Sequence, residues 1–203
     1  MSETIRLFTA IEIPHSINLA LKKLAGLFPD LKFLPGEKAH ITLRFLGEFE
    51  KNRLPELTAA LAKVQGTFFE VSFSGLGTFK MNRSLVLWAG IKDNPALTGL
   101  YDSVNESLLQ ELGLIKPTKA YTPHVTLSRV KSPDSKKVLI ALESFAQDLG
   151  DQSHLTPGPA SMVLAPAFMA SEFGLYQSIL HSGPAIHLLI KAFPLQKSPS
   201  PVA

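Results

Sequence analysis

The chain has 203 residues, a formal charge of +3, and 45% hydrophobic against 18% charged residues, an ordinary globular composition with enough mass for one substantial domain or two small lobes sharing a core. It contains no cysteine, which excludes disulfides, thiolate nucleophiles and cysteine-bound zinc, and its basic residues are scattered, so the surplus favours anionic partners only mildly. The longest apolar run, residues 161–170, is too short and too broken by Pro166 to span a bilayer, and the amino terminus lacks an export signal, so a soluble, cytoplasmic protein without membrane attachment is expected.

Thr4 to Ile13 reads as a buried strand, and Pro14 opens a helix with Ile17, Leu21, Leu24 and Leu27 or Phe28 on one face, ended by Pro29-Asp30. Ala39 to Gly47 is a second strand, and Leu54 to Val64 an amphipathic helix that stops at Gly66. Phe68 to Phe73 alternates as a strand until Gly75-Leu76-Gly77 breaks it, and Ser84 to Ile91 is β-rich, an antiparallel partner reached through Met81-Asn82-Arg83. Asn94-Pro95 starts a third helix whose stripe of Leu97, Leu100 or Tyr101, Val104, Leu108 and Leu109 runs to about Leu112, with Gly113 as its stop. A strand around His124 follows, then Ser132-Pro133-Asp134 signals a fourth helix over Lys136 to Leu149, ended by Gly150. Ala160 to Phe168, Gly174 to Leu180 and Ala185 to Phe193 read as strands. Residues 196–203, ending Ser-Pro-Ser-Pro-Val-Ala, cannot bury apolar surface and read as a flexible tail after a single domain over 1–195. Strands and helices mix without a strict βαβ beat, which predicts α+β with antiparallel sheets and outer helices.

Two strands carry nearly the same message: His40-Ile41-Thr42-Leu43 and His124-Val125-Thr126-Leu127. On a strand, residues i and i+2 share a face, so each copy offers an imidazole beside a hydroxyl, suited to general acid-base chemistry on a phosphate. Six histidines and 11 threonines in 203 residues predict roughly 0.3 such pairs by chance. The chain has three, but His154-Leu155-Thr156 runs into Pro157-Gly158-Pro159, a turn and not a strand, and reads as coincidence. The matching frames of the other two imply two lobes of similar build. Strict alternation places Arg44 in phase with His40 and Thr42, and Ser128 beside His124 and Thr126; Arg129 falls on the wrong face unless the strand ends or bulges there. His15 reads as a surface or capping residue at a helix start, His181 as part of a glycine-proline turn, and His187 as a core histidine on an apolar strand. No carboxylate stands at ligand spacing from the paired histidines, so no metal site is expected.

On these residues the chain resembles the two-histidine (2H) phosphoesterase superfamily, whose signature is a pair of His-x-Thr/Ser motifs in separate halves. More closely it is similar to the RNA 2',3'-cyclic phosphodiesterases, historically called 2'-5' RNA ligases. The similarity is carried by the stretches Arg6–Ile11, His40–Gly47, Gly75–Phe79, Leu87–Ile91 and Pro123–Arg129, and more faintly by Leu175–Ser178 before Gly183-Pro184. The resemblance implies a bilobal fold of two related α+β lobes around a central cleft lined by the histidine strands. It also implies metal-independent, cofactor-free opening of an RNA 2',3'-cyclic phosphate end to a 2'-phosphate, with weak reverse ligation allowed. It assigns His124 as general base and His40 as general acid, and it adds weight to Arg129, since an arginine closes the second motif in family members; Thr42 and Thr126, with Arg129 and Arg44, are the expected phosphate contacts, and a monomer is expected. Phosphodiesterase action on 2',5'-linked oligonucleotides or small cyclic nucleotides, and non-catalytic binding of RNA ends, are the competing readings.

Overall fold

In a computed structural model, which describes residues 3–23, 39–81, 84–131, 165–182 and 185–197, the third helix shows most plainly how local sequence becomes structure. Asn94 caps it by accepting hydrogen bonds from the amides of Ala96 and Leu97, both at 3.1 Å. Helix α3 then runs from Pro95 to Leu112 and buries Leu97, Leu100, Tyr101, Val104 and Leu108, a stripe at three- and four-residue spacing. Gly113, at φ 69°, takes the left-handed conformation that closes the helix, with its own amide bonded to Leu109 O and that of Leu114 to Leu108 O. The start and stop are those expected from the sequence, and so is the stripe except for Leu109, which is exposed.

The other elements follow in chain order. Strand β1 spans Thr4–Glu12, helix α1 His15–Lys23 and β2 His40–Glu50; a 3-10 turn at Lys51–Arg53 leads into α2 at Leu54–Leu61. Strands β3 (Phe69–Val71), β4 (Phe73–Met81) and β5 (Ser84–Ile91) precede α3, and β6 (His124–Lys131) follows it. Strands β7 (Phe168–Ala170), β8 (Glu172–Ile179) and β9 (Ile186–Pro194) complete the described elements. Gly75-Leu76-Gly77 does not break a strand as expected but lies inside β4, because Gly77 provides the space into which the Trp88 ring folds from the facing strand. Gln196, expected to begin the tail, is bridged to Thr67 in parallel, its amide bonding Gly66 O at 2.8 Å. The fourth helix, the His154 motif, the end of α1 at Pro29-Asp30, the Gly183-Pro184 turn and residues 198–203 lie outside the described residues.

Seven strands form one antiparallel sheet in the order β4-β5-β6-β2-β1-β8-β9, and β3 and β7 form a separate antiparallel pair. The large sheet has two halves, β4-β5-β6 and β2-β1-β8-β9, which meet through the pairing of Ile41 with Val125. The halves are related: β1-α1-β2 in one corresponds to β5-α3-β6 in the other, each a pair of antiparallel strands with a helix between and a histidine motif on the second strand. The strands after each unit cross to the other half: β4, which follows β2, pairs with β5, while β8 and β9, which follow β6, extend the sheet from β1. The α+β expectation of antiparallel sheet with outer helices therefore holds.

Among the described residues, helices cover one face of this sheet. Ile17 and Leu21 of α1, Leu57 and Leu61 of α2 and the stripe of α3 join Leu7, Ile11, Ile41, Leu43, Leu87 and Val125 in the main core. On the other face the described residues form a smaller buried cluster of Phe8, Ala10 and Tyr176. It is left for polar work.

Candidate active site

Ile41 and Val125 are both 0% exposed, pointing into the main core. Their neighbours along each strand therefore point to the opposite, open face. Antiparallel register about this pair sets His40 across from Thr126 and Thr42 across from His124, so that each imidazole faces the other strand's hydroxyl. The residues singled out by sequence meet at the seam between the halves, all four half-buried.

Each histidine strand carries a bulge at the leucine after its threonine, and the bulges decide what the arginines do. On β6, Thr126 pairs with Trp88 and Ser128 with Leu87, which leaves Leu127 extra. The phase shifts by one residue, so Arg129, opposite Val86, shares the face of Trp88 and Thr126, while Ser128 turns inward and is buried. Arg129 thus reaches the site face by the bulge that strict alternation lacks, and the expected place of Ser128 beside His124 is corrected.

On β2, Thr42 pairs with Ala10 and Arg44 with Thr9, with Leu43 extra. Here the shift removes an arginine. Arg44 goes to the helix face, donating to Asn105 Oδ1 on α3 at 3.1 Å and to Ile115 O at 2.7 Å, and burial lowers its pKa. Its expected role as a phosphate contact is corrected: it is a strut tying β2 of one half to α3 of the other. The site-face position equivalent to Arg129 belongs to Phe45, with the Arg6 guanidinium 4.6 Å above its ring.

His124 is held by its own strand approach. Its Nδ1–H donates to Thr122 O at 2.8 Å, since a carbonyl can only accept, and the lone pair is left on Nε2. Burial lowers its pKa, with Arg129 and Lys119 adding to the effect against the opposing hydrogen bond to Thr122. Phe79 stands edge-on to the ring at 4.9 Å and Trp88 lies at 6.0 Å, the two packing on each other at 5.1 Å. The Nζ of Lys119 sits 5.2 Å from the centre of Phe79. Tyr121, stacked on Tyr101 at 3.9 Å, donates its hydroxyl to Thr42 O at 3.2 Å and so ties the approach to β6 onto β2.

His40 has a different setting. Its ring lies 4.9 Å from Phe8, which stacks on Tyr176 at 5.3 Å, and 5.0 Å from His187 of β9. His187, expected in a core, is half-buried on the open face, because bulging of β9 at Ile190 brings Tyr176 opposite Leu189 and Ser178 opposite His187. His15 is exposed at the start of α1 and His181 is exposed. Phe8, Tyr176 and Trp88 lay within the stretches that carried the resemblance, but no periodicity showed them meeting at the histidines. Among the described residues no group of three His, Cys, Asp or Glu gathers as a metal site, and no helix is long and apolar enough to cross a membrane.

Residues 14–160 match the model of the 2'-5' RNA ligase superfamily. The chain belongs to this family. An RNA 2',3'-cyclic phosphodiesterase from Archaeoglobus fulgidus is 34% identical over 76% of this chain and 94% of its own, and one from Methanocaldococcus jannaschii is 34% identical over 66% and 76% respectively. Apo E. coli LigT has the same fold, with a TM-score of 0.72 at 21% identity, covering 97% of this chain and 100% of LigT. Both histidine motifs lie inside the matched span of the 2'-5' RNA ligase superfamily, as does Arg129.

Proposed function

We propose that this protein is an RNA 2',3'-cyclic phosphodiesterase that opens the terminal cyclic phosphate to a 2'-phosphate without a metal. The pairing of Ile41 with Val125 carries the reading, because it gathers two imidazoles and two hydroxyls on one open face; the relatives' activity supports the substrate class. His124, with Nε2 as acceptor and its charged form disfavoured, takes a proton from water as the water attacks phosphorus. The P–O3' bond breaks in line, and His40 protonates the departing 3'-oxygen, leaving a 3'-hydroxyl and a 2'-phosphate. Thr42 and Thr126 donate to the nonbridging oxygens, and Arg129 offsets the developing negative charge. The same steps with an RNA 5'-hydroxyl in place of water, His124 taking its proton as the P–O3' bond breaks and His40 protonating the 3'-oxygen, would give weak 2'-5' ligation.

Residues 1–195 act as one bilobal domain, a reading supported by the strands β4 and β8, which cross from one part of the chain to the other half of the sheet. The protein works as a cytoplasmic monomer on RNA ends. Alanine at either His40 or His124 is expected to lower turnover of a 2',3'-cyclic-phosphate oligonucleotide by about 10²–10⁴-fold, with a 2'-phosphate as the wild-type product and no effect of a chelator. Turnover retained in both variants would falsify the two-histidine mechanism. Faster turnover of 2',5'-linked oligonucleotides would reassign the substrate, and binding without turnover would make the protein an RNA-end binder.

A further inference from the structure

The two histidine motifs match in sequence but not in the charges around them. Opposite His124 on β5 is Gly90, which offers no side chain, and the charges acting on its ring are the cations Arg129 and Lys119. Opposite His40 on β1 is Glu12, whose Oε2 accepts a hydrogen bond from the Tyr176 hydroxyl at 3.1 Å. From β9 a second imidazole, His187, meets the His40 ring edge-on at 5.0 Å, and both rings rest on Phe8, at 4.9 Å and 5.0 Å. Around His40 on this face thus stand Glu12 from β1, Tyr176 from β8 and His187 from β9.

We propose that Glu12 and His187 are positioning residues that set the proton affinity of His40 in opposite directions, and that this asymmetry makes His40 the acid and His124 the base. The inference rests on the catalytic reading above and goes beyond it. Two chemically equivalent imidazoles would populate the productive arrangement and its mirror image alike. A carboxylate on the same face favours imidazolium at His40, whereas a cationic surround disfavours it at His124. His187 limits the effect: two imidazoles in ring contact resist double protonation and titrate as a pair, and Glu12, directly opposite His40, biases the shared proton toward His40. The proton so placed on His40 is the one passed to the departing 3'-oxygen.

The test is kcat/KM against pH for wild type, Glu12→Gln and His187→Phe, alongside NMR titration of the His40 ring in the full-length protein. Phenylalanine preserves packing on Phe8, and His187→Gln serves as a second variant. Glu12→Gln should move the alkaline limb, and the His40 titration, down by about one pH unit. Replacing His187 should move both up by about half a unit to one unit, while the acidic limb belonging to His124 stays in place. Rates that fall evenly across pH with both limbs and the His40 titration unmoved would mean that these side chains only pack, and the inference would be wrong. His40→Ala separates the two levels: if it retains turnover, the acid assignment itself fails, whereas if it is inactive and the two variants shift nothing, only the present inference fails.

Discussion

Replacing Gly77 with alanine tests whether the aromatic wall behind His124 positions that ring. Gly77 is the cross-strand partner of Trp88, and a Cβ built on it would lie 2.2 Å from Cζ2, 2.3 Å from Cη2 and 2.7 Å from Cε2 of the indole. Carbon atoms in contact sit about 3.5–4.0 Å apart, so the ring must withdraw by more than ~1 Å. Its stem is fixed in β5, and Phe79 and His124 neighbour the ring, at 5.1 Å and 6.0 Å. Overpacking of this kind costs about 1–3 kcal/mol, which for a chain of this length lowers Tm by roughly 2–10 °C. Displacing a reacting group by ~1 Å costs about 10²-fold in rate, and that is the expected loss in kcat/KM. The control is Gly99→Ala in α3, where a Cβ meets nothing within 4 Å. It should stabilise by about 0.5–1 kcal/mol, since alanine loses less backbone entropy in a helix, and leave turnover unchanged. Trp88 is the only tryptophan, so its fluorescence reports the ring directly: a shifted emission is expected for Gly77→Ala and none for Gly99→Ala. Wild-type emission with wild-type kcat/KM in Gly77→Ala would refute the idea that His124 depends on the indole over this glycine.

Three further outcomes are expected. Because burial holds the His124 pKa below its ordinary 6.5, the acidic limb of kcat/KM should lie below that value, and Arg129→Gln should move it up. The unfolded chain then binds the proton first as pH falls, so the contribution of His124 to stability is intact above about 6.5 and is lost on acidification toward its folded pKa, as denaturant melts across this range would show. Asn94→Ala removes both cap bonds of α3 and should cost about 1 kcal/mol in a thermal melt, with kcat at 25 °C unaffected. Tyr121→Phe keeps the stack on Tyr101 but leaves the Thr42 carbonyl without its donor, a loss of about 1 kcal/mol in urea unfolding.

The elements that could be read in advance are those whose signals are local. Asn94 before Pro95, the stripe to Leu108 and the left-handed Gly113 act within one helix, and each was legible in order. The paired His-x-Thr motifs were legible for the same reason: period-two alternation around buried Ile41 and Val125 fixes the side of the strand that each residue faces. Beyond the threonines alternation failed. A bulge arises from pairing with a neighbouring strand, here β1 for Leu43 and β5 for Leu127, and nothing within His-Ile-Thr-Leu or His-Val-Thr-Leu announces it. That one inserted residue exchanged the roles of the arginines, bringing Arg129 onto the site face and sending Arg44 to Asn105.

Sequence alone therefore determined the chemistry on offer: two imidazole-hydroxyl pairs, no thiol, an α+β chain, and a family whose relatives open cyclic phosphates. Tertiary structure alone decided the arrangement, placing each histidine across from the other's threonine through the Ile41–Val125 pair. It also distinguished the two imidazoles, with Glu12 and His187 around one and Arg129 and Lys119 around the other. The reason is one of range. Alternation and capping act over a few residues, whereas register, and the charges that register brings together, depend on strands separated by most of the chain.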